Sequence, residues 1–551
     1  MMLVSFPHFL MANDWQALAI KNKASIANVI KKNSPLNIAY MPPATEFNYY
    51  LDIGKGIKAT AIETRNNSVM FAPQSDNPTI QAKMINEVIR REFDAIILST
   101  HDPAGIAPFI KRAVDKGIVV IIVNSDNPSF STPVHGIVGY RQYDGTKKMA
   151  QYLLQNISED KRNVALISGV PGYHTTERLG GFLDVIKDSK LRVVAQENGQ
   201  WNTEGGYQAA LKIFKTTPNI DVVFAVNDYE IIGVESALQS LGKTGVILLG
   251  NDGDPAALEK INENRITATV YTDPIGMGKV AAKMAIDIIR GRFKGGFVTT
   301  PTTIIDKSNL AQVWQAPVTI AGSNMKEITI VSDEREDLTN DNGSGFYWDL
   351  MRAIFEPAGV RVITKIRPAK RAVSEVKSQL SDAMLGAIRG DVDGVLYPQW
   401  YYSADYVSVI YKYDKFSNWH GQDTFANKAV SWVRGYDFDK YLYVPVEPVQ
   451  VTNRIQGLKL INIGRIDFFF DNLFDLRKAI LTSSNELKKH NFIANDYHIE
   501  NILEHKQYLA FSNTQKGAYM RALFDDRFAK MLFSGELKTL FDKWHYPYPF
   551  N

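Results

Sequence analysis

Residues 93–126 read FDAIILSTHDPAGIAPFIKRAVDKGIVVIIVNSD. Two short, unbroken apolar runs, residues 95–99 and 119–123, flank a stretch, 104–116, whose apolar residues recur at helical spacing. A strand that is apolar at every position has no solvent face, so it belongs inside a parallel sheet covered on both sides. Joining two such strands through a helix demands a right-handed crossover, and repeating the unit builds a doubly wound α/β lobe.

The same beat extends in both directions. Upstream, residues 36–41 read as strand, 49–61 as helix, 68–72 as strand and 79–91 as helix. A turn-rich stretch, NSDNPSFSTPV at 124–134, interrupts the rhythm. Strands then recur at 163–168, 191–196, 221–225, 246–250 and 268–271, with helices between. Two similar lobes in one continuous stretch predict a hinged pair, with a ligand cleft at the carboxyl ends of the strands. Residues 316–326 (APVTIAGSNMK) read as a linker. Beyond it the pattern changes: strand 327–332, helix 345–355, strand 360–366, helix 368–379, strand 394–397, strand 428–433, helix 451–463, strand 466–470, and helical segments from 516 to 545. The predicted fold class is α/β, with two tandem two-lobed clam-shell modules. The expected boundaries are an N-terminal segment 1–35, a first module 36–315, the linker 316–326 and a second module 327–551.

Composition narrows the function. The chain has 551 residues, with 62 Lys and Arg against 59 Asp and Glu, a net charge of +3. So small an excess of positive charge argues against nucleic-acid partners, which need a concentrated basic surface. No apolar run reaches the length of a membrane-spanning helix. There is no cysteine, which excludes disulfides, thiolate catalysis and cysteine-ligated metals. The opening MMLVSFPHFLMA is apolar but lacks a basic start and is broken by Pro7 and His8. It reads either as a degenerate or mis-started signal peptide or as a plain hydrophobic N-terminus.

Catalytic patterns are missing. SLGKTG at 240–245 has Ala237 where a phosphate loop needs its first Gly, and TNDNGSG at 339–345 has Leu338 where a calcium loop needs a ligand. There is no HExxH and no GxSxG. The expectation is a non-enzyme with no cofactor and no metal.

Eight phrases in the first half carry a resemblance. They are NYYLDIGKGIKA (48–59), FDAIILSTHD (93–102), GIVVIIVNSD (117–126), NVALISGVPG (163–172), ERLGGF (177–182), VVFAVND (222–228), LLGNDG (248–253) and ITATVYTDP (266–274). In this order they resemble the type I periplasmic solute-binding proteins of sugar ABC importers, the ribose-binding group in particular. The resemblance implies a ligand site made of Tyr49, Tyr50, Asp126, Gln142, Arg178, Trp201, Asn227, Asp252 and Thr272. Aromatic faces suit the C–H faces of a sugar ring, and carboxylate, guanidinium and amide supply the acceptors and donors that vicinal hydroxyls need. Taken singly, the tyrosines also read as helix-face core residues, Asp126 as a turn residue, Arg178 as a surface charge and Asn227-Asp228 as a helix cap. Phe47, Asn127, Gln142 and Thr272 depart from the group, which carries Asn, Arg, Asn and Gln there; Glu46, His101 and Arg141 lie beside the expected cleft. The same fold occurs in LacI-type repressors, but residues 13–34 are too short for a helix-turn-helix.

The second half is similar to type II solute-binding modules, the amino-acid-binding family 3. The phrases are GFYWDLMRAIFEPAGV (345–360), RPAKRAVSEV (367–376), GDVDGVL (390–396), VRGYDFDKYL (433–442), GRIDFFFDN (464–472) and YLAFSN (508–513). PQWYYSAD at 398–405 replaces the Thr-x-x-Arg turn that reads a ligand carboxylate in many members. Tyr397, Trp400, Arg434 and Asp471 are the cleft candidates by position. Together the resemblances imply an extracytoplasmic, periplasmic protein that closes around a small molecule, a sugar or polyol, and delivers it to a membrane permease. The alternative is the ligand-sensing unit of a membrane receptor or sensor kinase.

Overall fold

The computed structural model describes residues 19–550 apart from 74–76, 128, 159–161, 315–324, 417–418, 437 and 483. The apolar opening and most of the expected linker lie outside the described residues. Contacts divide the chain into a first unit that ends at Trp314 and a second that starts at Gln315.

The first unit opens with β1 (Asn37–Met41), α1 (Asn48–Glu63), β2 (Asn67–Met70), α2 (Pro78–Arg90), β3 (Ala95–Leu98), α3 (Ala107–Asp115), β4 (Val119–Val123) and β5 (Gly136–Gly139). It continues with α4 (Gln142–Asn156), β6 (Asn163–Ser168), α5 (Tyr173–Ile186), β7 (Arg192–Asn198), α6 (Thr203–Thr216), β8 (Val222–Ala225), α7 (Asp228–Ser240), β9 (Ile247–Asp252), α8 (Pro255–Asn262) and β10 (Ala268–Tyr271). The long helix α9 (Pro274–Ile289) and two short strands, β11 (Gly296–Thr299) and β12 (Thr303–Asp306), complete it.

Two sheets result, in the orders β11-β5-β4-β3-β1-β2 and β12-β10-β9-β8-β6-β7. The first is parallel throughout, and in the second only β12 runs antiparallel. β3 and β4 are buried at every residue, as their unbroken apolar runs require. The chain passes between the lobes near residues 140–141, 272–273 and 300–302, because β11 returns to the first sheet and β12 to the second. β5, β11 and β12 escape the sequence reading because they are short and contain Gly or Thr. At Gly136 an added Cβ would overlap the Met284 sulfur, so a larger residue there requires that side chain to shift.

The second unit begins with β13 (Glu327–Ser332), α10 (Phe346–Phe355), β14 (Arg361–Ile366), α11 (Ala369–Lys377), β15 (Ala383–Ala387), β16 (Val395–Leu396) and β17 (Ser403–Lys412). Then come β18 (Ala429–Val433), β19 (Glu447–Val451), α12 (Arg454–Asn462), β20 (Phe468–Asn472), α13 (Leu473–Thr482), α14 (Ser484–Lys488), β21 (Tyr497–Ser512), α15 (Gln515–Ser534) and α16 (Glu536–Lys543). The strand order is β14-β13-β15-β21-β17-β20-β18-β19, with β16 paired to β21. At each end lies a parallel triplet in the order second, first, third, and the long antiparallel strands β21 and β17 join the two triplets. Sequence reading missed β15, β17, β19 and β21. β17, β19 and β21 mix polar and apolar residues or exceed ordinary strand length, so they lack the compact apolar signature, while β15 (AMLGA) is a short apolar run broken by Gly386 at φ 76°.

Helices α1 and α9 pack backbone to backbone. A Cβ on Gly278 would overlap the Ile53 carbonyl oxygen, and one on Gly56 the Ile275 carbonyl oxygen. Gly278→Ala is therefore expected to cost about 1–3 kcal/mol through forced separation of the helices. Gly180→Ala, where a Cβ meets only the Tyr143 ring at 3.6 Å, is expected to be neutral or slightly stabilising. Denaturant unfolding of the two variants checks this, and equal midpoints would contradict it.

Candidate functional site

The carboxyl ends of β1, β3 and β4 face those of β6, β8 and β9 across a cavity of about 330 Å³ in the first unit. From one lobe come Phe47, Tyr49 and Tyr50 at the start of α1, and the loops after β3 and β4. From the other come Tyr173, His174 and Arg178 of α5, Trp201 before α6, Asn227 and Tyr229 around the start of α7, and Asp252 at the end of β9.

Arg178 organises the deep end. Its Nε donates to Gln142 Oε1 at 2.9 Å and its Nη1 to the Val226 carbonyl at 2.7 Å. Nη1 also lies 3.0 Å from Asp252 Oδ1, and the guanidinium sits 5.7 Å from the Tyr140 ring centroid and 5.5 Å from that of Trp201. Burial opposes its charge, but the Asp252 carboxylate and the surrounding phenols outweigh that cost and hold its pKa above the ordinary arginine value. Asp252 has φ 130°, an uncommon conformation for a non-glycine residue. Burial pushes its carboxyl up to about 6, against the pull of Arg178.

The nine residues expected from sequence fall into two groups. Tyr49, Tyr50, Arg178, Trp201, Asn227 and Asp252 line the cavity. Asp126, Gln142 and Thr272 do not, and stand one layer behind. Gln142 is fully buried; it binds Arg178, contacts the His174 ring, and its backbone N–H donates to Asp126 Oδ2 at 3.1 Å. The Thr272 hydroxyl donates to the Asp252 carbonyl at 3.0 Å and lies 3.0 Å from the Tyr49 hydroxyl. Asn227 serves both of its readings. It faces the cavity and also caps α7, its Oδ1 accepting from the Glu230 N–H at 2.8 Å while its Nδ2 donates to the Trp201 carbonyl at 3.0 Å.

Two acids behind the wall hold the loops in place. Asp228 Oδ2 accepts from the Gly253 and Asp254 N–H groups at 2.7 Å each, and Oδ1 from the Thr269 hydroxyl at 2.7 Å. Glu230 Oε1 accepts from the Trp201 N–H at 2.9 Å. Burial raises both carboxyls to about 8, so they are largely protonated at neutral pH. Trp201 follows Gln200 in a left-handed pair, φ 57° and 61°, and its indole lies so close to Gly169 that any side chain there would overlap it.

Sequence reading missed Tyr173 and Tyr229, both of which bridge the lobes. Tyr229 Oη accepts from the Asn48 N–H at 2.7 Å, and the Tyr173 hydroxyl donates to Asp126 Oδ1 at 3.1 Å. Tyr229 follows directly on the Asn227-Asp228 cap, which was the available signal. His174, beside Arg178, is held neutral by the loss of water around its ring and by the Arg178 charge, with its pKa lowered to about 3.

In the second unit a buried charge cluster joins the two triplets. Arg335, just after β13, pairs with Asp475 of α13 at 3.0 Å. Arg454 of α12 pairs with Asp471 at 2.7 Å and Asp475 at 2.8 Å, and donates to the Tyr436 hydroxyl at 3.0 Å. Burial raises the Asp471 pKa, whereas at Asp475 the two arginines overcome burial and lower it. Of the four expected cleft residues, only Asp471 belongs to this cluster. Trp400 is packed in the hydrophobic core against Phe528 and Phe533, which corrects its expected place on a cleft wall. Tyr397 donates to the Ile388 carbonyl at 2.7 Å and meets the Tyr508 ring edge-on. Arg434 is exposed.

Residues 38–293 match the family model described as periplasmic binding protein domain. The chain is 26% identical over 244 residues to the ribose import binding protein of Bacillus subtilis, covering 44% of this chain and 78% of that protein. It is 24% identical over 248 residues to the D-allose-binding periplasmic protein of Escherichia coli, covering 43% and 80%. It is 24% identical over 225 residues to the D-apiose import binding protein of Actinobacillus succinogenes, covering 41% and 72%. A solved periplasmic solute-binding protein of an ABC transporter from Actinobacillus succinogenes, with bound D-allose, is 23% identical with a TM-score of 0.47, covering 51% of this chain and 100% of that one. Residues 38–293 thus match a periplasmic binding protein domain and are similar to ribose-binding proteins.

Proposed function

We propose that this protein is an extracytoplasmic solute-binding protein whose first unit closes around a sugar-like small molecule and delivers it to an ABC importer. The observation that carries this reading is the cavity at the carboxyl ends of both sheets, with aromatic walls and a buried Arg178–Asp252 pair at its deep end. Rings stack on sugar C–H faces, while the ion pair offers a donor and an acceptor to neighbouring hydroxyls. The import and binding proteins named for ribose, allose and apiose, to which residues of the first unit are similar, support the same ligand class. In this reading Tyr49, Tyr50, Arg178, Trp201, Asn227 and Asp252 meet the ligand, and Asp126, Gln142 and Thr272 hold them in place.

The mechanism is hinge closure about the three connecting segments. The Asn48–Tyr229 and Tyr173–Asp126 bonds join opposite lobes, so they belong to the closed arrangement, and a ligand touching both lobes adds to them. The reading includes no catalytic step, cofactor or metal. No helix among the described residues is long and apolar enough to cross a membrane.

A second reading, a periplasmic sensing unit for a membrane receptor or sensor kinase, is favoured by the second unit. The relatives' similarity spans less than half of this chain, and import requires no second module. We propose that residues 327–551 form a type II solute-binding module similar to the amino-acid-binding family 3, with residues 36–315 as the first module. The repeated second-first-third strand order in the two triplets supports this. The arginine cluster bridges the two halves of this unit.

Three outcomes follow. Calorimetric titration of the full chain with a sugar that binds is expected to weaken by about 1–3 kcal/mol in Trp201→Ala, through lost stacking and burial; unchanged affinity would remove Trp201 from the site. Sugar affinity is expected to fall as pH drops through about 6, where Asp252 gains its proton and stops acting as a charged acceptor. Because that pKa is raised in the folded state, this protonation by itself favours the fold, whereas the buried neutral His174 opposes it as pH falls; the check is therefore the affinity, and a sugar affinity that stays constant through about pH 6 would contradict the assignment. Arg335→Ala, which leaves buried carboxylates short of a partner, is expected to destabilise the second unit by about 3 kcal/mol in denaturant unfolding; an unshifted transition would show that the cluster does not hold its two halves together.

A further inference from the structure

Polar groups are unevenly distributed around the first-unit cavity. At the deep end, the Arg178 and Asp252 side chains are only 5% and 10% exposed. Nε and Nη1 of Arg178 are engaged, and its Nη2 makes no hydrogen bond among the described residues. Elsewhere four lining acceptors already receive a bond from a neighbouring protein group. Thr100 Oγ1 accepts from the Asp102 N–H, Ser125 Oγ from Asn127 and Asn127 Oδ1 from Ser129. Asn124 Oδ1 accepts from the Tyr49 hydroxyl. Another part of the lining is an aromatic collar, with Phe47 edge-on to Tyr50 at 6.0 Å and to Tyr229 at 5.6 Å.

Phe47 is one of four α-helix starts in this unit without a side-chain cap, the others being Ile106 before α3, Arg141 before α4 and Gly172 before α5. Five other helices of this unit, α2, α6, α7, α8 and α9, begin on an Asn or Asp whose side chain accepts a first-turn N–H. Helix α1 begins on Phe47, which has no such bond to make. An uncapped start is less stable than one capped by Asn or Asp. The Asn48 N–H is served instead by Tyr229 from the opposite lobe. What sets Phe47 apart is its place: its ring lines the cavity, edge-on to Tyr50 and Tyr229, and it has no polar atom to offer a ligand.

We propose that this cavity selects a ligand with one polar end, held by Arg178 and Asp252, and one apolar end, a methyl, deoxy or alkyl group, seated on the Phe47 ring, and that Phe47 determines this selectivity. The proposal rests on the carbohydrate reading above and names the class within it: deoxy and alkyl sugars. A hydroxymethyl group seated on the Phe47 ring loses water without gaining a partner from that ring, whereas a methyl group gains apolar contact.

The test is calorimetric titration of the full chain with matched pairs: L-fucose against L-galactose, L-rhamnose against L-mannose, and D-fucose against D-galactose. Within the pair that binds, the deoxy member is expected to be about tenfold tighter or more. Phe47→Asn restores a side-chain cap, so its melting temperature is expected to hold or rise while the deoxy preference is lost. Equal or tighter binding of the fully hydroxylated member overturns the proposal and leaves the carbohydrate reading standing. A ratio unchanged in a well-folded Phe47→Asn removes Phe47 as its determinant. Silence of every sugar overturns the carbohydrate reading, and this proposal with it.

Discussion

A guanidinium enclosed in a protein interior must be matched group by group, because desolvating an unpaired charge costs more than a domain's net stability allows. Arg178 is such a group, and the first unit is arranged around its needs. Gln142 from the start of α4, the carbonyl that follows β8, and Asp252 at the end of β9 each satisfy one side of it, with Tyr140 and Trp201 against its faces. Residues far apart in sequence are therefore held to one point. Asp252 accepts an unusual backbone conformation there, and its loop is pinned from behind by the protonated Asp228. The charge that organises the fold is the charge best placed to read a ligand.

The second unit solves a related problem with the signs redistributed. Arg335 and Arg454 share Asp475, and Arg454 also takes Asp471. These residues arise from two different parallel triplets that only β17 and β21 connect within the sheet. A buried network of this kind carries a modest net energy when complete and a large penalty when broken. It serves as a fastener whose strength depends on every member being present.

The parallel lobes of the first unit were legible because their strands are short, wholly apolar and evenly spaced. The runs at 95–99 and 119–123 became β3 and β4 with almost the same bounds. The strands that close each sheet were not, since β5 and β11 are short and carry glycine, and their identity depends on the neighbours they lie against. The same holds for β21, whose 16 residues change partners along their length. A local pattern cannot encode pairing that is decided by another segment on the order of a hundred residues away.

For the site, the sequence by itself determined which side chains end the strands, hence that Tyr49, Tyr50, Arg178, Trp201, Asn227 and Asp252 stand near a cleft. Side-chain chemistry and strand periodicity are local properties, and both survive in a bare string of residues. Only the tertiary structure decided that Asp126, Gln142 and Thr272 act from behind, that Trp400 is core, and that Phe47 and Tyr229 form one collar across two lobes. Those assignments depend on which groups compete for the same few hydrogen bonds in a closed space, and that competition exists only once the chain has folded.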